Sequence, residues 1–105
     1  MDMENVVGQI SFIKEKLADL DEELQNTTVS GSDNNDIITA QINGKGKVLT
    51  YKFNASQMVS LNKEKLIAAV VEATNNGIDA ARELEKSRKK EIVGGVNIPD
   101  IPGLF

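Results

Sequence analysis

Residues 36–53 read DIITAQINGKGKVLTYKF, and this stretch leaves the chain little freedom. Ile38, Ala40 and Ile42 alternate with Thr39 and Gln41, and Leu49, Tyr51 and Phe53 alternate with Val48, Thr50 and Lys52. A period of two sends successive side chains to opposite faces of a strand. Between the two runs stands Asn43-Gly44-Lys45-Gly46. Asn-Gly predicts a type I′ turn with positive φ at both central residues, so an antiparallel hairpin is expected. Whatever flanks the hairpin must cover its apolar face.

Both flanks are helical in pattern. From Met3 to about Gln25, Val6, Ile10, Ile13, Leu17, Leu20 and Leu24 recur at steps of three and four, an a/d heptad stripe on a charged helix. That stripe packs on the long helix of its own chain or receives a partner's helix. QNTTVSGSDNND, poor in helix formers, ends the first helix and leaves room for a short strand near Thr27–Ser30. After the hairpin, Asn54-Ala55-Ser56-Gln57 has the spacing of a capping box and predicts one helical turn. A long helix is expected from about Asn62 to Val93, with Leu66, Val70, Ala73, Gly77, Ala80 and Leu84 buried and Gly94 ending it. Asn75-Asn76-Gly77 costs about 2 kcal/mol relative to alanine in a helix interior. Either the helix breaks there into a hairpin, or packing holds it. Thr74, Gly77, Ala80 and Ala81 leave room for close approach and favour packing.

The fold class is therefore α+β, in the order α-β-β-β-α, with a small antiparallel sheet and one domain over residues 1–93. The end, GGVNIPDIPGLF at 94–105, carries glycines and prolines that exclude a helix or a central strand. Burying its five large apolar side chains returns roughly 8–15 kcal/mol. Ordering its backbone costs about 12–24 kcal/mol, so a flexible apolar tail is expected unless another surface receives it. Three strands and two helices bury little, and the sheet edges invite pairing. A homodimer answers both needs.

Composition narrows the chemistry. The chain has no histidine and no cysteine. That excludes Ser-His-Asp and Cys-His catalysis, disulfides and the usual transition-metal sites. No apolar run approaches the ~20 residues that span a bilayer, and the first ten residues lack the basic start of a signal peptide. A cytoplasmic protein without enzymatic activity, cofactor, metal, membrane association or small-molecule substrate is expected. GKGK lacks the spacing and following Ser or Thr of a phosphate loop, and Ser60-x-x-Lys63 and Ser87-x-x-Lys90 lack the partner motifs of serine acyl-enzymes.

The net charge of −4 is unevenly placed. Residues 1–43 carry nine acidic and two basic side chains, whereas residues 44–105 carry seven acidic and ten basic. An electropositive face on the second half is compatible with the overall sign. Its best candidate is Lys86-Ser87-Arg88-Lys89-Lys90 with Arg82 one turn earlier. Arg82, Lys86 and Lys89 or Lys90 share a helix face and could reach successive phosphates. The competing reading is a solvated helix end whose cations favour the negative dipole pole. Lys45 and Lys47 at the hairpin tip, with Lys52, form a second positive group.

The order of elements, QING at a hairpin tip, LIAAVVEATNNGIDAARELEKSRKKEI in the last helix and GGVNIPDIPGLF at the end together resemble the YbaB/EbfC family of bacterial nucleoid-associated proteins. The resemblance covers nearly the whole chain. It implies a homodimer in which a central sheet joins two pairs of projecting helices like tweezers. It also implies location in the nucleoid and binding of double-stranded DNA with little sequence preference, altering DNA organisation and gene expression. On that reading Arg82, Lys86, Arg88, Lys89, Lys90, Lys45 and Lys47 are the DNA-binding residues. The alternative is a protein-interaction scaffold, a dimer using its acidic first helix and apolar tail without significant DNA binding.

Overall fold

The computed structural model of the chain describes residues 3–94. Helix α1 (Met3–Gln25) leads into strands β1 (Thr28–Ser32), β2 (Ile38–Asn43) and β3 (Val48–Phe53). A single turn, α2 (Ala55–Met58), precedes the 32-residue helix α3 (Lys63–Gly94). The three strands form an antiparallel meander with β2 in the centre. The expected tail lies outside the described residues apart from Gly94, which is the last residue of α3.

The alternation in β2 holds. Ile38, Ala40 and Ile42 are fully buried beneath α3, while Thr39 and Gln41 on the other face are half-buried. On β3 the pattern shifts. Gln41 pairs with Thr50 but Ile42 pairs with Val48, so a bulge takes up Leu49 and puts Val48, rather than Leu49, opposite Ile42.

The turn also differs from the expected type I′. The Gly46 N–H donates to the Asn43 carbonyl at 2.9 Å and the Asn43 N–H to the Lys47 carbonyl at 2.8 Å, and positive φ occurs at Gly46 (89°), not at Asn43 or Gly44. This is a three-residue loop with glycine at the left-handed position. Asn43 is occupied elsewhere: its Oδ1 accepts the N–H groups of Lys45 and Lys47, each at 3.0 Å. The tip is tied to the end of α1, because the Gly44 N–H donates to the carbonyls of Leu24 at 2.8 Å and Thr27 at 2.9 Å.

β1 runs two residues further than its composition suggests, since Gly31 and Ser32 pair with Ala40 and Thr39. Asp33 closes the β1–β2 loop: it is buried, and its carboxylate accepts the N–H groups of Ile38 at 2.7 Å and Asn35 at 3.2 Å. At α2 the capping box does not form; Ser56 Oγ donates to Asn54 Oδ1 instead, and Asn54 makes no side-chain cap bond. Asn62 does cap α3, its Oδ1 accepting the Lys65 N–H at 2.8 Å.

α3 is continuous through Asn75-Asn76-Gly77, and the reason is packing. Its buried residues are Ala69, Ala73, Gly77 and Ala81, every fourth position, whereas Leu66, Val70, Ala80 and Leu84 are half-buried flanks of that stripe. Small residues let the helix lie directly on β1 and β2. At the crossing, Gly77 faces Gly31 and the Ile42 side chain. Asn76 Nδ2 donates to the Ser32 carbonyl at 2.8 Å, so the helix-poor Asn76 carries a link to the sheet. On the far side, Thr74 Oγ1 donates to the Val70 carbonyl, which leaves the Tyr51 hydroxyl of β3 to donate to Thr74 at 2.8 Å.

The heptad stripe of α1 is oriented as expected. Ile13, Leu20 and Leu24 are buried, and Val6, Ile10 and Leu17 are half-buried. α1 packs against α3, which also lies on β1 and β2.

Candidate nucleic-acid interface

A helix turns about 100° per residue, so Arg82, Lys86, Lys89 and Lys90 fall within an arc of about 100°. The arc lies opposite the stripe of Ala69, Ala73, Gly77 and Ala81 that touches the sheet. From residue 82 to residue 90 the helix rises about 12 Å, a length in which duplex DNA presents about seven charges. Arg82 is 79% exposed, with Asp79 4.0 Å away. At that exposure the contact leaves the guanidinium available. Lys86 and Lys90 are exposed and form no ion pair among the described residues. Lys89 Nζ lies 3.0 Å from Glu85 Oε1. A shallow groove of about 500 Å³ runs here, lined among the described residues by Arg82, Glu85, Lys86, Lys89 and Lys90.

Two of the expected residues stand apart from this arc. Arg88 points toward α1, where its Nη2 donates to Glu23 Oε2 at 2.9 Å, and its Nε lies 3.4 Å from Glu91 Oε2. Lys45 turns back from the hairpin tip, with Nζ 2.7 Å from Asp21 Oδ1 and 3.3 Å from Glu85 Oε1. Its hydrogen bond to Asp21 holds the ammonium above its ordinary pKa, against the opposing effect of burial. The same bond holds the Asp21 carboxyl below its usual range. For Glu85, burial pushes the pKa up, but hydrogen bonds from Lys89 and Lys45 outweigh it and the net shift is downward. Lys47 remains exposed at the tip.

Part of the acidity of α1 is therefore neutralised inside the fold. Asp21 and Glu23 answer Lys45 and Arg88, which lie 24 and 65 residues away in the chain. Nothing in the local pattern signals these pairs. The dipole explanation of the basic run also weakens, because the last turn of α3 holds no basic residue and the dipole effect fades within one turn.

Residues 1–96 match the family model described as the YbaB/EbfC DNA-binding family. The chain belongs to this family. It is 31% identical over 101 residues to the nucleoid-associated protein DP1429 of Desulfotalea psychrophila, covering 96% of this chain and 95% of that one. With a nucleoid-associated protein of Syntrophobacter fumaroxidans the identity is 32% over 103 residues, covering 96% and 94%. Among solved structures, an uncharacterized protein from Helicobacter pylori, HP0035, superposes with a TM-score of 0.73 at 21% identity, over 90% of this chain and 99% of that one. That likeness concerns the fold. Among the described residues, no helix is long and apolar enough to cross a membrane.

Proposed function

We propose that this YbaB/EbfC chain is a non-enzymatic homodimer that binds double-stranded DNA through its phosphates, with little sequence preference, and so changes the organisation and expression of nucleoid DNA. The observation that carries the reading is the arc of Arg82, Lys86, Lys89 and Lys90 lining one groove in a member of a DNA-binding family. Lysine and arginine along a groove with no aromatic side chain in its lining among the described residues suit phosphate contacts rather than base reading. Lys47 extends the footprint, while Arg88 and Lys45 chiefly hold the helices and hairpin together. Titrating a labelled duplex by fluorescence anisotropy tests this. The logarithm of the affinity is expected to fall with log salt at a slope of about −3 to −4 per bound chain, alike for unrelated duplexes. Absence of binding at low salt rejects the reading in favour of a protein-interaction scaffold.

The dimer rests on the β3 edge. Leu49, Phe53, Ile67 and Val71 are each at least half exposed. Val71 and Ile67 precede Thr74 by three and seven residues, so they share the side of α3 that Tyr51 ties to β3. An unpaired edge beside an apolar patch is a pairing surface. Sedimentation is expected to give the mass of two chains, and that of one for a Phe53→Glu, Val71→Glu variant with a native circular dichroism spectrum. A wild-type chain that sediments as a monomer would refute the dimer.

A further inference from the structure

We infer that Glu85 limits duplex affinity by standing as an internal counter-ion where a backbone phosphate would otherwise bridge the hairpin tip and α3. The inference rests on the proposed duplex binding and concerns the regulation of that surface. Glu85 Oε1 receives two ammonium groups from different elements, Lys89 of α3 at 3.0 Å and Lys45 of the hairpin at 3.3 Å. Two cations converging on one oxygen make an anion position, and a phosphate's non-bridging oxygens offer the same acceptors. Glu85 also lines the groove of Arg82, Lys86, Lys89 and Lys90, so a duplex laid along these cations meets it.

The carboxylate's side chain is 24% exposed. It is therefore shielded from full solvation yet near enough to the surface to oppose an incoming phosphate. Asp21 occupies the other side of Lys45 at 2.7 Å and keeps the tip anchored when Glu85 is neutral. The arrangement keeps a basic surface from binding DNA as tightly as its cations allow. Glu83 is a matched control: it is an exposed acid on the same helix with no ion pair among the described residues.

Anisotropy titrations of one duplex against wild type, Glu85→Gln and Glu83→Gln test the inference. The glutamine is isosteric and still accepts from both lysines, and thermal melting checks that the fold is kept. Glu85→Gln is expected to bind about three- to tenfold more tightly, with a salt slope steeper by about one. Glu83→Gln, with the same net charge, is expected to change affinity less than about twofold, as a general charge effect does across a screened surface. Lys45→Gln is expected to lower affinity more in the Glu85→Gln background than in the wild type, removing most of the gain there. Equal affinities for the two glutamine variants, or a gain that Lys45→Gln leaves intact, overturn the inference while leaving duplex binding in place. Failure of all the proteins to bind at low salt overturns the duplex reading, and this inference with it.

Discussion

Replacing Gly31 with alanine is expected to destabilise the fold by about 3 kcal/mol or more, at the upper end of overpacking costs. A Cβ at this position would fall on the Gly77 backbone nitrogen and within 2.6 Å of the Ala73 carbonyl oxygen. Both obstacles are main-chain atoms of α3, so no side-chain rotation relieves them. The helix would have to lift from β1, opening the contacts of Ala69, Ala73 and Ala81 and the Asn76 bond to Ser32. Gly8 provides the opposite case. It sits exposed on α1, and a methyl group added there would have nothing within 4 Å. Alanine at this position is expected to stabilise by up to about 1 kcal/mol through helix propensity. Urea unfolding of the two variants should move the midpoint in opposite directions. A Gly31→Ala chain as stable as wild type would mean that α3 does not rest on β1 in this way.

The same crossing explains why some of the fold is legible in the sequence and some is not. Periodicity locates α1, β2, β3 and α3, but only in α1 and β2 do the apolar stripes record one-sided burial directly, since Leu49 and Phe53 of β3 are about half exposed. Asn75-Asn76-Gly77 reads as a weakness because propensity counts the residue alone. In the fold, Gly77 permits contact with Gly31 and Asn76 bonds a strand carbonyl. Periodicity also shifts the buried face of α3 toward its larger residues, since alanine and glycine carry little hydrophobic signal although they set the closest approach. Asn43-Gly44 predicts a hairpin at the right place with the wrong turn, because the Asn43 side chain binds two loop N–H groups and Gly46 takes the positive φ. For the site, helical spacing places Arg82, Lys86, Lys89 and Lys90 together. It does not reveal that Arg88 and Lys45 face acids of α1, since those pairs depend on how the helices and hairpin meet.

That distinction between arc cations and structural cations sets the second large effect. Changing Arg82, Lys86, Lys89 and Lys90 together to glutamine is expected to lower duplex affinity on the order of a hundredfold or more at low salt, and to flatten the salt slope by about one for each lost contact. Glutamine is nearly as good a helix former as lysine or arginine, so α3 and the assembly should persist. Arg88→Gln removes one charge from the same run but severs the tie to Glu23 instead. With both partners substantially exposed, its cost to stability is expected to stay within about 1 kcal/mol. The salt slope of that variant should match wild type. If charge alone governed binding, Arg88 would count as much as any one of the four, and the slope would fall in proportion to the number of cations removed wherever they point. A full slope for Arg88→Gln beside a collapsed one for the fourfold variant would therefore identify the outward face of α3, rather than the basic run as a whole, as the surface that meets the phosphates.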